Sequence, residues 1–442
     1  MTAQPAATPL PDGPSLSAAE TTFRWFARPL SFLDECAAAH GDTFTLNFAR
    51  FGTHVIVAHP DDVKRVFTGD RRALHAGRGN ALLEPILGRH SLLLADGDRH
   101  LEQRALLQPA FLAERIQRYA GVVTEATRRW TAQWNGGATV SLQRTALDIS
   151  REVILRVVLG LPEAESDRFS RLIHDVMLLV GTNATFDDAS TEPRLLARFR
   201  AARDALNDAL QTHIERRRHT AGGDDMPSAM LAAHDEAGGG LSDEEIRDQL
   251  VTMILAGHET TASSITWALL SLLENPGALA TLLRELDDSR RAVPDEQLAT
   301  LPYLQAACLE TLRVRPVIPV VSRELQRPFR LRQQTVPAGV FVTPCAYLAH
   351  RRPDAFADPH AFQPERFVER RYSPYVYFPF GGGVRHCMGM SFALLEMQVV
   401  LGTLLRAFRF APVAHAARPV RRAVTIVASG GGKVYAERRA AT

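Results

Sequence analysis

Apolar residues recur along most of this chain at intervals of three and four, the spacing of helices with one buried face. Such runs are expected from Leu112 to Trp134, Leu147 to Val158, Pro162 to Val180 and Pro193 to His219, the last strongly charged on its outer face. The longest pattern begins after Ser242. Ser242 and Glu245 form an S-x-x-E capping box, acidic residues fill the first turn, and Asn275-Pro276 stops the run after Glu274. That is about 32 residues, or roughly 48 Å at 1.5 Å per residue, enough to cross a whole domain. A further helix is expected from Tyr303 to Arg313, closed by Pro316. Shorter helices are expected from Pro60 toward Phe67, and from Asp96-Gly97 through His100 and Arg104 toward Pro109.

Period-two and β-rich stretches are few. Thr43 to Phe48 and His54 to Val57 flank Phe51-Gly52 and predict a hairpin. Phe329 to Leu331 and Val340 to Pro344 predict two strands joined by the turn Pro337-Ala338-Gly339. Arg71 to Leu94 is glycine-punctuated and predicts a folded loop, Gly181 to Glu192 a mobile loop, and Ala221 to Gly240 a loose connection. No 20–50-residue repeat appears. The expected fold is therefore mainly α: one large helical domain over 15–442 with a small β-rich region, behind a disordered Ala/Pro-rich leader at 1–14.

Composition narrows the class. Length alone suggests about three domains, yet no linker divides the middle of these 442 residues. A formal net charge of +2 argues against a general nucleic-acid binder. Four cysteines, Cys36, Cys308, Cys345 and Cys387, include no C-x-x-C pair, which excludes a zinc ribbon, and are too few for a disulfide scaffold. A soluble, cytoplasmic monomer without membrane anchor is expected, since the start has no apolar signal core and no later run is long and uncharged enough to span a bilayer. No G-x-G-x-x-G or P-loop follows a strand, so no fused nicotinamide or flavin domain is expected.

The most specific passage is Phe380-Gly381-Gly382-Gly383-Val384-Arg385-His386-Cys387-Met388-Gly389. Three successive glycines cost backbone entropy and suit a close approach to a flat ligand. Cys387 leads into an apolar-faced helix, whose N-terminal field favours a thiolate. Taken alone, such a loop is equally compatible with a buried cysteine in a turn. Within the long helix, Ala256-Gly257-His258-Glu259-Thr260-Thr261 breaks helix propensity. Ala256 and Thr260 share a face, and the Thr260 hydroxyl can bond back to the Ala256 carbonyl and open a turn. A small-residue helix crossing is the alternative. Glu310 and Arg313 stand i, i+3 and by themselves read as a surface ion pair.

The spacing F-x-x-G-x-R-x-C-x-G resembles the haem-binding loop of the cytochrome P-450 family. The A-G-H-E-T-T segment, E-x-x-R at Glu310 to Arg313, P-E-R-F at Pro364 to Phe367 and H-x-x-x-R at His100 to Arg104 resemble further elements of that family, in chain order. The resemblance covers about Asp96 to Glu396. It implies haem b with Cys387 as the iron ligand, Phe380 beside the sulfur, and Gly383 and Gly389 letting the backbone donate to it. Ala256 and Gly257 would lie on the cofactor face. His100, Arg104, Arg323 and Arg385 would supply cations to two propionates. Thr260 would steady the oxygen species and Glu259 would help deliver protons. Glu310, Arg313 and Arg366 would brace the cysteine loop. Leu92, Leu93, Leu255, Ala256, Val317, Val320 and Ile426 would line an apolar pocket.

The activity implied is monooxygenation of an apolar small molecule by O₂. Electrons would come from a separate soluble ferredoxin or flavodoxin with its reductase, docking on a cationic face that includes Arg313, Arg315, Arg370 and Arg371. Two alternatives stay open: a haem-thiolate isomerase or peroxygenase without redox partner, and a non-catalytic haem-binding protein.

Overall fold

The computed structural model describes residues 9–134, 137–180, 192–219, 225–234, 238–413 and 417–440. Its axis is the helix Asp243–Glu274, 32 residues long. The capping box is formed in both directions: the Ser242 hydroxyl accepts from the Glu245 N–H at 3.2 Å, and the Glu245 carboxylate accepts from the Ser242 N–H at 3.0 Å. From Ile246 to Leu272 the helix is buried on almost every side, so it is a core helix rather than an amphipathic one. Helices Leu142–Val153, Pro193–Arg218, Pro302–Val314 and Met390–Ala407 pack around it. Together they form the main apolar core, with Trp267, Leu269, Ile149, Val399 and Leu404 at its centre.

Met390–Ala407 is long and apolar enough to cross a membrane, which the sequence reading did not anticipate. Two thirds of it is buried in this core, and it meets the long helix and Ala120–Thr131 there.

The β-rich part is a five-stranded sheet in the order Thr43–Phe48, Gly52–Val57, Phe341–Pro344, Arg323–Leu325, Leu74–His75. The predicted first hairpin is present, with Thr43 opposite Val57. The second is not. Phe329–Arg330 pairs with Thr335–Val336 instead, while Phe341–Pro344 runs parallel to Gly52–Val57 in the larger sheet. Three of the four residues of Phe341–Pro344 are buried, which favours a central sheet position over an exposed hairpin arm.

Other departures are local. The start of the expected leader is outside the described residues, but Pro11 and Asp12 offer their carbonyls to Thr45, at 2.7 and 2.9 Å. The first strand is a sheet edge with unpaired backbone groups, and this segment covers them. Within 221–240, Met226–Ala232 is a helix capped by Asp225. The expected mobile loop after Val180 lies, apart from Glu192, outside the described residues.

Candidate functional site around Cys387

Three of the four cysteines are buried free thiols, with Cys36 pushed up to about 11 and Cys308 and Cys345 to about 12 by burial. Cys387 alone is accessible. Its thiol is still desolvated enough to be raised, so the surface it presents opens on an internal space. The Gly389 N–H and the Arg104 guanidinium act the other way and favour the thiolate. The helix that follows begins at Met390, with Gly389 as its cap residue. Among the described residues no group of three or more His, Cys, Asp or Glu side chains gathers to hold a metal ion.

The loop is held by its backbone. The Cys387 N–H donates to the Phe380 carbonyl at 3.0 Å. Gly383 stands at φ +65°. A Cβ there would overlap the Phe67 carbonyl, and one at Gly382 would overlap the Phe67 ring. These two glycines let the helix Pro60–Thr68 press on the loop. Phe67 was not singled out from sequence, since a phenylalanine at a helix end carries no distinguishing signal.

Behind the loop sits an ion network with no solvent access. Arg313 and Glu310 are both fully buried and paired at 2.7 and 2.8 Å. Arg313 also donates to the carbonyls of His350, Pro359 and Ala361, at 2.7–2.8 Å. Arg366 reaches Glu310 at 3.3 Å, and the Gln363 N–H donates to it at 2.8 Å. The network touches the loop through His350, whose Nε2 accepts from the Phe378 N–H at 2.9 Å. The expectation that Arg313 joins a docking surface is therefore wrong: every bond it makes is internal. Arg315 is half-buried against the Trp267 ring, while Arg370 and Arg371 are exposed.

A second basic cluster stands at the other edge of the loop. His100 and Arg104 lie one turn apart on helix Gly97–Leu107, and Arg323 opens the strand Arg323–Leu325. Burial and the charges of Arg385, Arg104 and Arg323 hold the His100 pKa down to about 3. Its burial and its neighbours therefore favour the neutral imidazole over the cation expected. Burial, and then Arg385, lower Arg323 to about 10. Its one hydrogen bond runs to the Ser322 carbonyl, at 2.9 Å. Neither Arg323 nor Arg104 has a carboxylate partner among the described residues. Arg385 does, pairing with Asp96 at 2.5 Å and donating to the Leu92 and Ala95 carbonyls. Asp96 is a residue the sequence reading used only as a helix start. It also accepts from the N–H groups of Ala76, Gly77 and Arg78, so it ties three segments together.

The long helix forms another wall. Ala256 is exposed and Thr260 half-buried, one turn apart, on a helix otherwise in the core. The Thr260 hydroxyl donates to the Ala256 carbonyl at 2.6 Å, as expected, but the helix stays α-helical through the turn rather than opening. Gly257 is not on that face: a Cβ there would meet only Ile154, at 3.7 Å. Glu259 is buried, its pKa raised by desolvation, with Arg422 at 3.2 Å drawing it back down.

Leu92 and Leu93 are set against this helix by Asp248, Gln249 and Thr252. Gln249 accepts from the Leu92 N–H at 3.0 Å, and Thr252 donates to the Ser91 hydroxyl at 2.7 Å. Leu92, Leu93, Leu255 and Ala256 all keep accessible surface. Three expected lining residues do not serve. Val317 and Ile426 are 5% and 4% exposed and bonded to each other through their backbones, so they back the wall. Val320 packs against a separate cluster that holds Phe32, Phe44 and Tyr347. In the hairpin formed by Pro419–Arg422 and Thr425–Ala428, Val424 at the turn and Val420 on the first strand are the exposed apolar residues.

A family model described as "Cytochrome P450" matches residues 20–426. The chain belongs to the cytochrome P450 family. A Mycobacterium tuberculosis relative named "Putative cytochrome P450 135B1" is 35% identical over 96% of this chain and 91% of its own length. Another from that organism, "Putative cytochrome P450 138", is 32% identical over 90% of each chain. Two solved structures share the fold with a TM-score of 0.86: retinoic acid-bound cyanobacterial CYP120A1, at 22% identity, and the cytochrome P450DA heme domain, at 23%. They cover 98% of this chain and 100% and 98% of their own. Mainly helical architecture, haem b and monooxygenase chemistry follow for this P450. The residues present fit that cofactor: one accessible thiol, and two guanidiniums, Arg323 buried and Arg104 half-buried, without carboxylate partners among the described residues, where a dianionic porphyrin needs cations.

Proposed function

We propose that this P450 inserts one oxygen atom of O₂ into a C–H or C=C bond of an apolar organic molecule: a terpenoid, steroid, fatty acyl chain or polyketide. Bound haem supplies the oxygen activation, with electron density from the Cys387 thiolate. The chain's own residues do the rest. Arg104, Arg323 and Arg385 neutralise the cofactor's carboxylates. His100, neutral among three guanidiniums, donates a hydrogen bond, and a carboxylate placed there raises its pKa. Leu92, Leu93, Leu255 and Ala256 exclude water and hold an apolar substrate. Thr260, tethered to the Ala256 carbonyl, presents its oxygen from a fixed rotamer. Glu259 holds a proton more readily than an ordinary carboxylate and passes it toward Thr260.

Electrons come, in this reading, from a separate soluble ferredoxin or flavodoxin with its reductase. Arg370 and Arg371 supply exposed positive charge for docking. Three buried free thiols suit a reducing, cytoplasmic setting.

The observation that carries the proposal is the accessible Cys387 thiol with Arg104 beside it. The test is the reduced, carbon monoxide-treated protein. A strongly red-shifted Soret band is expected, lost in Cys387→Ser, together with product formation from an apolar substrate and a surrogate ferredoxin. Charge reversal at Arg370 and Arg371 is expected to slow ferredoxin-driven turnover and flatten its salt dependence with haem retained. A red-shifted band that persists in Cys387→Ser would overturn the ligand assignment.

A further inference from the structure

The C-terminal hairpin has two chemically different faces. Arg422 and Thr425 are cross-strand partners, and Arg422 faces Glu259. Arg421 and Ile426, the next pair, project from the opposite face. There Arg421 meets the N-terminal helix Ala18–Ala27. Its guanidinium lies 4.1 Å from the Phe26 ring centroid and 5.4 Å from that of Trp25.

This guanidinium is short of partners. Nε donates to the Ala423 carbonyl at 2.7 Å, and Nη1 is buried with no partner. No carboxylate stands within ion-pair distance among the described residues. Desolvation alone lowers its pKa, to about 10, with no neighbouring anion to raise it. A half-desolvated cation without a counter-anion is a cost the fold carries unless something meets it.

The side chain forms one end of a groove of about 340 Å³ lined otherwise by Phe23, Phe26, Ala27 and Ala423. That volume is within the range of small-molecule sites. Phe23 is 71% exposed, a large apolar surface with nothing on it. One planar cation beside an apolar, aromatic surface matches one planar anion on an apolar body. Arg421 is the one charged side chain among the five residues that line the groove, so the groove itself lacks the basic cluster that would suit a membrane surface.

We propose that this groove binds the carboxylate end of an apolar organic acid at Arg421, with Phe23 and Phe26 against its hydrocarbon, as the point where such a substrate is first captured. The proposal rests on the apolar-substrate reading above and narrows it to acids. The anchor lies across the hairpin from Glu259, which the same hairpin contacts through Arg422.

The test is calorimetric titration of the haem-loaded protein with dodecanoate and with methyl dodecanoate, a readout that needs no turnover. Dodecanoate is expected to bind more tightly than the ester. Arg421→Leu should weaken the acid about ten- to a hundredfold, the size of a lost charge-assisted bond, and leave the ester unchanged. Phe23→Ala, on an exposed side chain, should weaken both equally. Equal affinity of acid and ester, or an acid affinity indifferent to Arg421, overturns the proposal while the carbon monoxide spectrum still stands. So does a groove closed by a second copy, seen as a dimer that Phe23→Ala dissociates, or binding to anionic vesicles without binding to dodecanoate.

Discussion

The cysteine loop and the middle of the long helix are built in opposite ways. Behind Cys387, position is enforced by many bonds: a buried Glu310–Arg313–Arg366 network, a histidine bonded to the loop backbone, and two glycines under Phe67. Across the long helix, the wall is made by leaving things out. Ala256 is small, and Thr260 is satisfied by its own helix. One side fixes a ligand atom. The other leaves room for molecules that must enter and leave. Rigidity is concentrated in the cysteine loop, and the face of the long helix relies on shape and a few polar atoms.

Breaking the network should give the largest effect. Arg313→Ala leaves Glu310 charged and strips donors from three carbonyls in a solvent-free place. A loss of about 3–5 kcal/mol is expected, read by denaturant unfolding, with poor haem retention. A loss below about 1 kcal/mol would mean that the network is ornamental and that the comparison fails.

Glu396, on the helix leaving the cysteine loop, probes the same side through pH. It is wholly buried, and desolvation pushes its carboxyl up to about 8 from an ordinary 4.5. The folded state therefore holds this proton more tightly than the unfolded chain. Its contribution is intact below about pH 4.5 and is lost as pH rises toward 8, by at most about 1.4 kcal/mol per unit. Glu396→Gln should flatten that part of the melting-temperature profile. An unchanged slope between pH 5 and 8 would place the ionisation elsewhere.

How far each side could be read from sequence follows the same division. The bonded side uses charged and special residues at fixed intervals, and E-x-x-R, P-E-R-F and the cysteine loop are visible for that reason. What the motifs hid were long-range partners of ordinary type: Phe67 under the glycines, Asp96 on Arg385, and Gln249 and Thr252 holding the Leu92 segment. The shape-defined side was harder. Val317 and Ile426 look like any pocket apolar residues, and only the sheet register and the Val317–Ile426 backbone bond show that they face inward. Phe341–Pro344 was misassigned because a short apolar strand has no mark that says which sheet it joins. The 32-residue helix was legible to the residue, since its cap and its proline stop are local chemistry.

On the shape-defined side, function should change while stability does not. Thr260→Ala removes a hydroxyl whose only bond is to its own helix, so unfolding should shift by less than about 0.5 kcal/mol. Product formed per reductant consumed should fall several-fold, with hydrogen peroxide released in its place. Full coupling would instead favour a peroxide-driven or isomerising enzyme that has no use for the hydroxyl.

The smallest effect compares backbone constraint in the two elements, because it uses one kind of change on the cysteine loop and on the long helix. A methyl at Gly257 meets a single carbon at 3.7 Å, an ordinary contact, and replaces a poor helix residue with the best one. Gly257→Ala should be neutral or stabilising by up to about 1 kcal/mol, measured as a shift in denaturant midpoint. The same methyl at Gly383 must fit a backbone at φ +65° and displace the Phe67 carbonyl, and should prevent stable haem binding. If both alanines behave alike, then the glycine-rich loop is no more constrained than the distal helix. The contrast between a fixed side and a permissive side would then have to be given up.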